Sequence, residues 1–350
     1  MISDQSRTKE WIFSIREMSP GKDPILIEKM IMALTLAENL KLAGLNFVFK
    51  GGTSLHLLLG SPHRFSIDID IILPNLINLD DYFNIVLKQG NFYQIEESKR
   101  SGSLPKQHYK FYFQSVIQEK ESQILLDILL EKNLYPKLEP VALKSPLFLF
   151  EGNEVEFECP TKDCLLGDKL TAFAPHTTGI PYGKDKDLEI AKQLFDVAIL
   201  FDVTEDLNMV RTTFYNIASQ ELTYRGMNNL STSDVLWDSF NTSILIGTRG
   251  SSSPIEYTEL VNGFRKMAGF VFSGYFSLDT AILCASKVAY LSAIILKKSD
   301  QIERFQKNID LSSWVITNQA YNKLNKLKKT NPEAFYNFFQ ALKLLSLSEK

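Results

Sequence analysis

Two aspartates one residue apart in an apolar run, Asp68-Ile-Asp70-Ile-Ile-Leu73, constrain this chain more than any other feature. On a strand, residues two apart point to the same face, so both carboxylates share one side and Ile69 and Ile71 take the other. Neighbouring carboxylates repel each other and resist removal from water. Whatever sheet holds this strand must offer that face either solvent or a cation. Mg²⁺, which typically takes one or two carboxylates plus substrate phosphates, fits the second case.

The residues just upstream point toward phosphate. A short apolar strand at 46–50 ends in Gly51-Gly52, and a brief helix follows over 54–59. Two glycines permit a sharp turn and close backbone approach to a ligand. A helix starting at Thr53 or Ser54 aims free N–H groups and a positive dipole end at whatever lies over the turn. The competing reading is a turn made only for topology. Arg64 and Ser66 are placed to brace the carboxylate strand. Asp127 sits inside Ile124-Leu-Leu-Asp127-Ile-Leu-Leu130, a run apolar enough for a central strand. A charge there either meets solvent or lies beside residues 65–73 and completes a three-carboxylate site for two metals.

Periodicity supplies the frame. A helical pattern over 24–44 is followed by strand patterns at 65–73, 93–97, 109–116, 124–130 and 155–159, with a helix at 79–89. After Pro160 almost everything has helical period. The expected fold is α+β: a mixed sheet with flanking helices over 1–160, then a helical bundle over 161–350. The glycine- and proline-rich loop 175–183 reads as a semi-rigid substrate gate.

Hydrophobic residues make up 45% and charged residues 23%, which excludes a disordered or fibrous chain. The net charge of −3 conceals an asymmetry, since residues 287–350 carry 11 Lys and Arg against 5 Asp and Glu. Lys297, Lys298, Arg304, Lys307, Lys323, Lys326, Lys328 and Lys329 are expected to form a basic helical face, either simply solvated or gathering a polyanion such as RNA. Cys159, Cys164 and Cys284 lack metal-ligand spacing and read as reduced thiols. No signal-peptide pattern opens the chain, and apolar stretches such as 194–201 fall short of the roughly 20 residues a membrane span needs. The expected location is cytoplasmic, with no membrane partner.

The segments Lys50-Gly-Gly-Thr-Ser-Leu55 and Arg64-Phe-Ser-Ile-Asp-Ile-Asp70 resemble the signature of AbiEii-type nucleotidyltransferases. These are toxin halves of bacterial abortive-infection and toxin–antitoxin modules, similar in core to polymerase-β-like enzymes. Downstream, Asp168-Lys-Leu-Thr171 resembles the family's Lys–Thr element with a shorter spacing, and Lys192-Gln-Leu-Phe-Asp196 resembles its later helix motif. The likeness spans about residues 25–202 and is sharpest at 50–70.

The resemblance implies a polymerase-β-like fold. It further implies that Gly51, Gly52, Thr53 and Ser54 hold an NTP triphosphate, Asp68 and Asp70 hold Mg²⁺ or Mn²⁺, Lys169 meets the nucleotide, and Asp196 supports the site. Asp127 would be the third metal carboxylate and general base. A phage-defence toxin with a cognate antitoxin, transferring NMP to a hydroxyl acceptor such as a tRNA 3′ end, is then expected. The alternatives are nucleotidylation of a small molecule such as an antibiotic, or a non-catalytic interaction protein on a decayed transferase fold.

Overall fold

A computed structural model describes residues 1–18, 21–98, 105–272 and 274–349; Lys350, the last of the basic segment, lies outside them. The chain divides into two compact units, residues 1–161 with 269–274, and residues 162–268 with 275–350.

In the first unit, α1 (Lys9–Met18) and α2 (Pro24–Leu42) precede β1 (Val48–Lys50), α3 (Gly51–Leu58), β2 (Asp68–Leu73) and α4 (Asp80–Lys88). Then come β3 (Gln94–Glu97), β4 (Lys106–Gln114), β5 (Glu121–Leu130), β6 (Leu138–Ala142) and β7 (Glu156–Pro160). They form one mixed seven-stranded sheet in the order β3-β4-β5-β2-β1-β7-β6. The β2–β5 and β1–β7 pairings are parallel; the others are antiparallel. The α+β expectation therefore holds for this part of the chain. β6 was not expected, because Pro140 interrupts its pattern. A proline is tolerated there since β6 is an edge strand.

Pro24 occupies the first turn of α2, and the Asp23 carboxylate caps it by accepting from the Ile25 N–H at 2.9 Å. The helix is buried nearly all round and shares one core with Phe49, Ile69, Ile71, Phe111, Phe113, Ile124, Leu126 and Ile128. Two acids of α2 are buried but satisfied. Glu28 accepts from Ser115 Oγ at 2.6 Å and the Val116 N–H at 2.7 Å, and Glu38 accepts from the Ile2 N–H at 3.0 Å. The apolar face of β2 and β5 thus packs inward, and alternation leaves Asp68, Asp70 and Asp127 on the opposite, half-exposed face.

The second unit is helical: α5 (Lys162–Ala172), α6 (Asp187–Val203), α7 (Leu207–Tyr224), α8 (Thr232–Gly247), α9 (Pro254–Met267), α10 (Leu278–Leu296), the one-turn α11 (Leu327–Thr330) and α12 (Pro332–Leu344). Glycines mark close approaches. A methyl group at Gly167 would lie 2.5 Å from the Val210 carbonyl oxygen, and one at Gly263 would overlap the Asp187 carbonyl.

By length and mean hydropathy of 1.5, α10 is long enough to cross a membrane, which exceeds the apolar stretches weighed from sequence. It is also 78% buried within the protein, as befits a core helix. Its Lys287 is buried and satisfied by Asp202 at 2.7 Å and Glu333 at 3.4 Å.

The loop 175–183 is pinned at several points. Asp238 accepts from the His176 N–H at 2.8 Å and Thr177 Oγ1 at 2.9 Å, and Thr178 Oγ1 donates to the Thr171 carbonyl at 2.7 Å. Burial pushes the Asp238 carboxyl upward, while these donors pull it back. So held, residues 176–178 make the loop a braced element of the helical unit, as its glycines and prolines implied.

Candidate active site

β1 passes directly into α3: Lys50 ends the strand and Gly51 begins the helix, two to three residues earlier than the sequence pattern implied. Gly51 has φ +86°, a conformation costly for any residue with a Cβ. A methyl group there would also overlap Asp70 Oδ2, so the glycine is what lets the carboxylate lie against the helix start. At Gly52 a Cβ would fall 2.6 Å from both an Arg64 guanidinium nitrogen and Ser66 Oγ. Both glycines are therefore steric requirements of the acidic strand. Gly51→Ala should displace Asp70 and destabilise the chain by about 1–3 kcal/mol, read as a lower melting temperature.

The hydroxyls of Thr53 and Ser54 face inward, and both residues are buried. Thr53 Oγ1 donates to the Asp68 carbonyl at 2.6 Å and lies 3.0 Å from Ser66 Oγ; Ser54 Oγ donates to the Gly51 carbonyl at 3.1 Å. These side chains brace the turn, and a phosphate over α3 would meet the backbone N–H groups instead. Arg64, just upstream of the acidic strand, is 8% exposed and donates to the Phe65 carbonyl at 2.8 Å. Burial pushes the imidazole of His56, also on α3, down to about 3, so it stays neutral and serves packing, 2.7 Å from Ser145 Oγ.

Across the sheet the register is explicit. Lys50 pairs with Asp70, Asp70 with Asp127, and Asp127 with His108. Register partners share a face and stand about 5 Å apart. Asp68 lies two residues before Asp70 on the same face, so the structure brings Asp68, Asp70 and Asp127 to one place. They do not form a ready-made cage. Among the described residues no group of three or more His, Cys, Asp or Glu could hold a metal. One reason is visible in Asp127, whose Oδ1 is 2.7 Å from His108 Nδ1. The pairing of Asp70 with Asp127 sets the third carboxylate beside the strand of the first two. The arrangement suits an ion that completes its shell with phosphate and water, as Mg²⁺ does.

His108 was missed because a lone histidine in Lys106-Gln-His-Tyr-Lys110 carries no signal until its register partner is known. Tyr135, in the loop after β5, was also missed; it is buried, and the Lys50 ammonium lies 5.6 Å from its ring centroid.

In the second unit, Lys169 on α5 and Asp196 on α6 form an ion pair of 2.9 Å, with side chains only 9% and 2% exposed. The pair ties Asp196 of α6 across to α5. The basic residues are dispersed in use. Arg304 donates to the Phe201 and Thr204 carbonyls at 2.8 and 3.0 Å at the end of α6, Lys323 to Ser251 Oγ at 2.8 Å, and Lys328 to the Ser312 carbonyl at 3.1 Å. The expected basic helical face is not carried by one α-helix among the described residues, since α10 ends at Leu296 and α11 begins at Leu327. Lys323 and Lys326 lie in a 3-10 turn (Asn322–Lys326), whose period of about three residues aligns them.

Residues 35–256 match the family described as Nucleotidyl transferase AbiEii toxin, Type IV TA system. The chain belongs to this family. It is accordingly a nucleotidyltransferase of the AbiEii toxin group, and the match takes in the glycine turn, the acidic strands and the Lys169–Asp196 pair. No curated protein matches the chain in sequence. Among solved structures, JHP933 from Helicobacter pylori is similar at 15% identity with a TM-score of 0.42, over 85% of this chain and 94% of that one. An antigenic nucleotidyltransferase-like protein from Paracoccidioides brasiliensis is similar at 14% identity with a TM-score of 0.36, over 58% of this chain and 93% of that one. These overlaps are partial, and the family assignment rests on the sequence match.

Proposed function

We propose that this AbiEii-family chain transfers a nucleoside monophosphate from an NTP to an RNA hydroxyl, the 3′ end of a tRNA, in a Mg²⁺- or Mn²⁺-dependent reaction. The observation that carries the reading is the register of Asp70 against Asp127, with Asp68 on the same face and Gly51 pressed against the Asp70 carboxylate. Asp68 and Asp70 would hold the metal, which supplies charge neutralisation at the triphosphate when bound. The N–H groups opening α3 at Gly51, Gly52 and Thr53 would receive phosphate oxygens.

Asp127 takes the proton of the acceptor hydroxyl as that oxygen bonds to the α-phosphorus and the bond to the pyrophosphate breaks. For Lys169 and Asp196 the proposal keeps the roles implied by the resemblance, a nucleotide contact and its support. In the cell, the reading is of a cytoplasmic phage-defence toxin countered by a cognate antitoxin. The aligned pair Lys323 and Lys326 fits electrostatic capture of RNA, whose strength falls with salt.

The test is pyrophosphate release from each NTP with total tRNA, in Mg²⁺ and in EDTA. Release that needs both tRNA and metal, with label appearing at the RNA 3′ end, is the expected result. Release that persists in EDTA removes the metal from the proposal. Labelling of a small-molecule acceptor instead of RNA removes the tRNA.

A further inference from the structure

The register places Lys50, Asp70, Asp127 and His108 in one row across four neighbouring strands, β1, β2, β5 and β4. The row reads positive, negative, negative, and then an imidazole. We propose that His108 is a positioning residue that fixes the Asp127 carboxylate for proton transfer; the inference rests on the reading of Asp127 as the acceptor's base.

Asp127 stands on the half-exposed face, its side chain 30% exposed, so little packing restrains its two rotatable bonds. His108 is the more enclosed partner at 12% exposure. Its strand is held on both sides: β5 pairs with it along nine positions, and the His108 carbonyl accepts from the Ser98 N–H at 2.7 Å. At 2.7 Å, the Nδ1···Oδ1 bond joins a carboxylate to an N–H, so a neutral ring carries its proton on Nδ1. With Oδ1 held in this way, Oδ2 is the oxygen presented to the acceptor hydroxyl.

The position also matters electrostatically. His108 flanks Asp127 on the side away from Asp70, as Lys50 flanks Asp70 on the side away from Asp127. The His108 N–H thus lies on the outer side of Asp127, where a donor eases the charge of two neighbouring carboxylates. Groups that orient a reacting or metal-bound carboxylate are commonly worth about 10- to 100-fold in activity or metal affinity.

The test compares His108→Ala, His108→Asn and His108→Gln in the full-length chain. Asparagine places an amide nitrogen close to the position of Nδ1, whereas glutamine reaches toward that of Nε2. Turnover is followed by pyrophosphate release with Mg²⁺, the four NTPs and total tRNA. Melting temperature is measured on every variant, together with the downfield imidazole N–H proton resonance of the resting protein.

His108→Ala should lower kcat about 10- to 100-fold with KM for NTP within about twofold. His108→Asn should recover most of the loss and His108→Gln little. The downfield resonance should vanish in Asp127→Asn. If His108→Ala turns over at the wild-type rate while Asp127→Asn is inactive, the base assignment survives and His108 loses its role. Equal losses in His108→Asn and His108→Gln at unchanged melting temperature overturn the hydrogen-bond argument, and the same pair decides the matter should His108→Ala fail to fold. Wild-type turnover in Asp127→Asn overturns the base assignment itself.

Discussion

Asp70→Asn is expected to reduce nucleotide transfer on the order of a thousandfold, the loss of several kcal/mol of charge stabilisation at the triphosphate. NTP affinity measured in Mg²⁺ should fall to the value measured in EDTA. The fold should not suffer. Asp70 lies on the half-exposed face and stands directly opposite Asp127, and opposed like charges cost a sheet roughly 0.2–1 kcal/mol. Removing one of them should leave the melting temperature equal or slightly higher. This combination separates a binding carboxylate from a structural one. Equal NTP affinity in Mg²⁺ and EDTA for the wild-type chain, or full transfer by Asp70→Asn, would end the two-carboxylate reading. Gly51→Ala offers a contrast, because it should lose stability.

Local chemistry made part of this site legible in the sequence. Asp68 and Asp70 share a face because strand side chains alternate, whatever the sheet order. Gly51 and Gly52 had to be small if a backbone was to turn and approach a charged group, although the groups the structure sets against them are the side chains of Asp70, Arg64 and Ser66. The helix 24–44 and the strands 65–73 and 124–130 were visible because period and apolarity agreed there.

What escaped depended on which strands become neighbours. Nothing in the order of the chain says that β5 inserts between β4 and β2, so the approach of Asp127 to Asp70 was one of two open readings, and His108 was invisible. β6 was hidden by Pro140, which sheet position alone makes acceptable. The basic segment misled for a related reason. Lysine spacing says which residues could align on a helix, yet Arg304 is spent on carbonyls at the end of α6 and the stretch between α10 and α11 contains no α-helix.

Burial was the other quantity that sequence pattern misjudged, and Lys169 shows its consequence. Read as a lysine whose tip reaches solvent, Lys169→Ala would shift the melting temperature by only a few degrees. The structure places Lys169 at 9% side-chain exposure, 2.9 Å from an Asp196 carboxylate that is 2% exposed. Truncating the lysine removes the cation 2.9 Å from a buried carboxylate, and breaking a buried pair costs about 3–5 kcal/mol. For a unit of this size that corresponds to a fall of roughly 6–20 °C in melting temperature.

The same principle makes the reverse experiment informative. Replacing both partners with apolar residues of similar volume, as in Lys169→Met with Asp196→Leu, should recover much of the lost stability, because neither charge of this pair is then buried. Activity should not return with it if Lys169 contacts the nucleotide. Thermal melts of the single and double variants, followed by transfer assays well below the lower transition, separate the two roles. A double variant that regains both stability and transfer would make the pair purely structural. One that is stable and inactive keeps Lys169 in the chemistry.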